Sequence, residues 1–104
     1  MTVYVDDMYT VPMGEFRRMK MSHMMADTDA ELHAMADRIG LKREWYQGDH
    51  YDIAINTRKK AVKAGAVQIS MAQMAAYSAL RRRYNVIVPP WIAAIFRYGK
   101  DKPL

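Results

Sequence analysis

A capped amphipathic helix between Thr28 and Gly40 constrains the fold of this chain more than any other segment. Thr28 and Glu31 have the spacing of a capping box, and Asp29 places negative charge where the helix dipole favours it. Leu32, Met35, Ala36 and Ile39 then recur with the 3.6-residue period, and Gly40 stands where a left-handed terminator is wanted. A helix with one apolar stripe must bury it against another layer, and the flanking segments read as strands. Thr2 to Val5 alternates and ends at the acidic pair Asp6 and Asp7. Lys20 to Met25 alternates again, with Met21, His23 and Met25 on one side and Ser22 and Met24 on the other. Ala66 to Ile69 is a third strand, and Glu44 to Tyr46 a brief fourth. Between Tyr9 and Arg18, Pro12 and Gly14 predict a loop.

Two more helices follow from the same rules. One runs from about Thr57 to Ala64, capped by Asn56 or Thr57 and stopped by Gly65. The other opens at Ser70, which with Gln73 makes a second capping box, and ends near Tyr84. Strands alternating with helices over short connections predict an α/β fold: a small single domain, with a three- to four-stranded, partly parallel sheet, three helices and a C-terminal tail. The compact domain is expected over residues 1–84.

Residues 85–104 read as an extension. Val86 to Val88 is apolar, Pro89 and Pro90 stop any strand, and Trp91 to Tyr98 is a terminal turn of helix with Pro90 near its first position. Trp91, Ile92, Ile95 and Phe96 form an apolar stripe that calls for cover by the domain itself, a partner or a second copy of the chain. No apolar run reaches the roughly 20 residues of a membrane helix, so no membrane is expected as a partner. The start of the chain lacks the basic and apolar segments of a secretory signal. With no cysteine, disulfides and thiolate metal sites are excluded, and the cytoplasm is the expected compartment.

The segment Trp45-Tyr46-Gln47-Gly48-Asp49-His50-Tyr51-Asp52-Ile53 gathers an imidazole, two carboxylates and three aromatics in nine residues, a mixture costly to bury and unnecessary for a core. It reads as a loop carrying function. His50 and Asp52 stand two apart, so in extended backbone they point the same way. A carboxylate beside an imidazole raises its basicity and fixes its tautomer. Asp6 at a strand end and His23 complete a candidate catalytic set of His50, Asp52, His23 and Asp6. Three of these, His23, His50 and Asp6, have the nitrogen and oxygen donors of a divalent metal site. Trp45 and Tyr51 are candidate stacking surfaces for a ligand, and Arg58 a candidate cation for it, with Arg17 and Arg18 as further basic residues. His33 lies off the apolar stripe of its helix and reads as a partly exposed helical residue. Gly40, Gly48 and Gly65 are isolated, so no phosphate-cradling glycine loop is present.

These residues carry a resemblance. Val3-Tyr4-Val5-Asp6-Asp7-Met8, Lys20-Met21-Ser22-His23-Met24 with Ala26-Asp27-Thr28, the helix Glu31 to Gly40, Trp45-Tyr46-Gln47, His50-Tyr51-Asp52 and Gly65-Ala66-Val67 together resemble a small family of bacteria and phages, domain of unknown function 4031. The resemblance spans about residues 2–75 and implies a bacterial or phage origin, but no reaction. Its matching positions, Asp6, Asp7, His23, His33, Trp45, His50 and Asp52, favour a shared polar pocket over a basic groove.

The net charge of +5 is concentrated in Arg58, Lys59, Lys60 and Lys63 and in Arg81, Arg82 and Arg83. The expected function is a His and Asp pocket that binds, and could hydrolyse, a nucleotide or another phosphate-containing small molecule. The alternative is a non-enzymatic phage accessory protein that binds a host protein or nucleic acid through its basic helices and apolar tail, with homo-oligomer formation through that tail.

Overall fold

The longest strand, Met19–Ala26 (β3), pairs with three others and so decides where the site residues fall. In the computed structural model, which describes residues 2–99, β3 is antiparallel to Val3–Val5 (β1), to Glu15–Phe16 (β2) and to Tyr51–Ala54 (β4). A fifth strand, Val67–Gln68 (β5), lies parallel to β1, with Tyr4 opposite Val67. The fold is α/β, with a five-stranded sheet that is mostly antiparallel and four α-helices. The α/β class and the partly parallel pairing agree with the sequence reading; the additional strands are β2 and β4. The expected loop through His50-Tyr51-Asp52-Ile53 is strand from Tyr51 onward, because Tyr51 and Ile53 alternate as fully buried residues.

The described chain divides into two compact units, the first ending at Gln68 and the second beginning at Ile69. The first unit holds the sheet with helices Asp29–Arg38 (α1) and Ile55–Lys63 (α2). Thr28 caps α1 as expected: its hydroxyl oxygen accepts from the Glu31 amide at 3.2 Å, worth about 1 kcal/mol. That hydroxyl also donates to the Glu31 carboxylate at 2.8 Å. α2 starts two residues before Thr57, with Ala54 as N-cap and no side-chain cap, so neither Asn56 nor Thr57 performs the role expected of it. Glu44 to Tyr46 is not a strand; Arg43–Trp45 is a single 3-10 turn.

Val5, Met24, Leu32, Ala36, Tyr51, Ile53 and Ala61 form the core of this unit, packed between the sheet and its helices. Complete burial of an apolar side chain of the size of Leu32 or Ile53 contributes roughly 1.5–3 kcal/mol. The stretch expected as a loop from Tyr9 to Arg18 contains two 3-10 turns and β2. Gly14 is obligatory within it, since any side chain there would collide with the Met8 and Met21 carbonyls. β2 and β3 form a hairpin whose two-residue turn is Arg17 and Arg18, both left-handed at φ 49° and 68°. This is the twist a tight hairpin requires, made here without Asn or Gly.

The second unit is a helix pair, Met71–Tyr84 (α3) and Pro90–Tyr98 (α4). Ser70 and Gln73 form a complete capping box on α3, and Asn85 ends it in a left-handed conformation. Ala76 of α3 meets Ala93 and Ala94 of α4, small residues that let the helix axes approach. The stripe expected at Trp91, Ile92, Ile95 and Phe96 is exposed, with Phe96 at 75%. Residues 100–104, the end of the expected tail, lie outside the described residues. No described helix is long and apolar enough to cross a membrane.

Candidate functional site

Register explains the cluster. In the β3–β4 pair, His23 lies directly opposite Asp52, and Met24 opposite Tyr51. Side chains alternate across a strand, so Met24, Tyr51 and Ile53 enter the core while His23 and Asp52 emerge together on the other face. His50, two residues before Asp52, shares that face. A turn delivers it: the Gln47 amide donates to the His50 carbonyl at 2.9 Å, with Gly48 left-handed at φ 91° between them. The Tyr46 hydroxyl donates to the Gly48 carbonyl at 2.5 Å and so ties the turn to the strand's approach.

Each imidazole is held by its Nδ1 on a carboxylate. His23 Nδ1 donates to Asp6 Oδ2 at 2.7 Å, and His50 Nδ1 donates to Asp49 Oδ1 at 2.6 Å. An ionised carboxylate can only accept, so these contacts put a proton on each Nδ1 and turn both Nε2 atoms inward. Both face Asp52: His50 Nε2 lies 3.4 Å and His23 Nε2 3.9 Å from its Oδ1. The rings meet edge to face with centroids 5.3 Å apart. Asp52 Oδ2 accepts from the Gln47 side chain at 2.6 Å, whereas Oδ1 is buried and has no hydrogen-bond partner.

The Asp52 contact, reinforced by Asp49, raises the His50 pKa above its usual value against the opposing effect of burial. In turn His50, then Gln47, holds the Asp52 carboxyl below the usual range, again against burial. His23, His50 and Asp52 each bring one potential ligand atom within 4.8 Å of the other two, a spacing that could hold a metal ion.

Asp6 behaves differently from its expected place among the ligands. It is 1% exposed, its Oδ1 accepts from the amides of His23 at 2.9 Å and Met8 at 3.2 Å, and its Oδ2 is committed to His23. It reaches the cluster only by orienting His23. Arg58 is also turned inward: Nε donates to the Asp6 carbonyl at 2.8 Å, a terminal nitrogen donates to Gln68 at 3.1 Å, and the guanidinium covers the Tyr9 ring at 4.8 Å. It braces the strand end that carries Asp6 and offers no free cation to a ligand. Tyr51 is fully buried, its hydroxyl 2.8 Å from His33 Nδ1, so it belongs to the core and His33 to a separate aromatic cluster with Tyr46.

Trp45 does face solvent. It lines a cleft of about 960 Å³ with Met13, Phe16, Arg17, Met19 and, on the cluster side, Gln47 and Asp52. Phe16 and Trp45 are each about half exposed, and the Arg17 guanidinium lies 5.3 Å from the Phe16 ring centre. Asp49 and Gln47 are the site residues that sequence reasoning passed over. Their only signal was adjacency to His50 and Asp52 within one turn.

A family model described as a protein of unknown function, DUF4031, matches residues 3–82, which include every residue of the cluster and of the cleft. The chain belongs to that family. No curated protein and no solved structure matches it.

Proposed function

We propose, from the premise that the chain belongs to this family of unassigned activity, that it binds a nucleotide or another phosphate-containing ligand in the cleft, with the phosphate at the His23, His50 and Asp52 cluster. Hydrolysis of that ligand is the reaction the cluster suits. The observation that carries the reading is the position of Asp52, which belongs both to the polar cluster and to the cleft wall. Phe16 and Trp45 supply flat apolar surface for a base, and Arg17 supplies positive charge at the same opening. Asp52 Oδ1 and the two Nε2 atoms are acceptors able to orient an attacking water.

The test is titration of the pure protein with mono-, di- and triphosphate nucleotides and short single strands, with and without divalent metals, followed by a phosphate-release assay. Binding that falls roughly tenfold to a hundredfold in Trp45→Ala, as expected for loss of a stacked base, supports the reading. Absence of binding and turnover, with His50→Ala changing only stability, removes it.

A second reading is favoured by α4, whose Trp91, Ile92, Ile95 and Phe96 are exposed together. On that reading the protein is a non-enzymatic accessory factor that docks a partner protein through this helix. It requires that deletion of residues 86–104 abolish the biological effect while His23→Ala and His50→Ala leave it intact.

A further inference from the structure

We propose that His23 Nε2, His50 Nε2 and Asp52 Oδ1 are the three protein ligands of a divalent first-row transition-metal ion, of which Zn²⁺ is the reference case. This deepens the reading above by naming the cation of the same site, and it rests on that reading only for the role of the bound metal.

Protonation geometry comes first. With Asp6 and Asp49 each accepting from an Nδ1, both imidazoles have their Nε2 lone pairs available, and those two atoms point at one carboxylate oxygen. Two lone pairs and an anionic oxygen aimed at a common point repel one another unless a proton or a metal ion lies between them. That oxygen, Asp52 Oδ1, is also, among the described residues, a buried side-chain atom left without a hydrogen-bond partner. Its twin Oδ2 is pinned by Gln47 at 2.6 Å, which fixes the carboxylate to present a single oxygen.

Distances agree. A tetrahedral ion with bonds of about 2.0–2.1 Å holds its ligand atoms roughly 3.3 Å apart. The observed 3.4 Å between His50 Nε2 and Asp52 Oδ1 meets that value, and the 3.9 Å from His23 Nε2 needs a contraction of about half an ångström. His23 and Asp52 are 34% and 35% exposed, so side-chain adjustment of this size is open to them.

The outer contacts have the form that metal-binding histidines use, each donating its second nitrogen to a carboxylate. Charge completes the case: three carboxylates, from Asp6, Asp49 and Asp52, surround two imidazoles. A phosphate would be repelled by that set alone, and a dication reverses the sign of the field it meets. Two nitrogen donors disfavour Mg²⁺ and Ca²⁺, which prefer all-oxygen surroundings. Three protein ligands leave a coordination position for water or a phosphate oxygen, the pattern of reactive rather than structural zinc sites.

The deciding experiment loads the metal-stripped full chain with Zn²⁺ and with Co²⁺, read by calorimetry, by elemental analysis after desalting and by the visible absorption of Co²⁺. One ion per chain is expected, with Co²⁺ bands of four- or five-coordinate intensity. His50→Ala and Asp52→Asn should each weaken binding at least about 100-fold with unchanged circular dichroism, and Asp49→Asn should weaken it about 10- to 100-fold. No saturable binding below millimolar metal, or wild-type affinity in both His50→Ala and Asp52→Asn, overturns the proposal. Nucleotide titrations of the stripped and loaded protein separate the two readings. A metal site without nucleotide binding removes only the phosphate reading, and nucleotide binding without a metal site removes only this one.

Discussion

The two faces of the β3–β4 ribbon share one backbone and one set of ladder hydrogen bonds, yet they do opposite work. On one face Met24, Tyr51 and Ile53 are sealed into the core beneath α1, and the nearest histidine, His33, is satisfied by the Tyr51 hydroxyl. On the other, His23, His50 and Asp52 turn their polar atoms toward one another, and one buried oxygen is left unpaired. The difference teaches that a histidine's neighbours decide its role. An aromatic cradle quietens His33, whereas carboxylates behind His23 and His50 push their free nitrogens into a common space.

The comparison breaks if the polar face proves to be a stability device. Its largest expected consequence is therefore separation of binding from folding: His50→Ala should lose metal at least about 100-fold while its urea midpoint falls by less than that of a core truncation, since the removed ring is outside the apolar core. Next in size, Ile53→Ala on the opposite face should cost about 2–5 kcal/mol in urea unfolding, with the slope unchanged and metal affinity per folded molecule close to wild type. Smaller still, Tyr51→Phe deletes the hydroxyl that meets His33 and should cost about 1 kcal/mol, confirming that His33 belongs to the buried side.

The finest test uses pH. The Asp52 pKa is lowered in the fold, so its contribution is present above the ordinary value of 3.8 and is lost as pH falls through the depressed one. The His50 pKa is raised, so its contribution is present below 6.5 and is lost as pH rises through the elevated value. In metal-free protein, the excess thermal stability of the wild type over Asp52→Asn should peak between about pH 4 and 6.5 and decline on both sides. A flat difference from acid to alkaline pH would show that the pair is not coupled as described.

Much of this contrast was legible in the chain itself. The two-residue spacing of His50 and Asp52 puts both on one face, and the structure brings His23 to them, with Asp6 behind it holding the ring. The cap at Thr28 and the capping box at Ser70 mark two helices because cap chemistry is local. What stayed hidden depends on partners distant in sequence. The apolar alternation of Tyr51 and Ile53 is too short to declare a strand until β3 supplies the ladder. Nothing local tells that Arg58 turns from its lysine neighbours to reach the Asp6 carbonyl. Asp6 and Asp52 are the same residue type near the same histidine, and only the register of β3 and β4 assigns one to hold the ring and the other to face its free nitrogen.

The hairpin between β2 and β3 has a consequence for engineering. Its two turn residues, Arg17 and Arg18, occupy backbone conformations that Asn-Gly would adopt with less strain. Replacing them with Asn-Gly should yield a hardier protein by roughly 1 kcal/mol, yet strip the Arg17 guanidinium from the wall of the cleft. A consensus-minded stabilisation campaign would choose that change early, and it would produce a robust scaffold without the positive charge that the proposed phosphate ligand would meet.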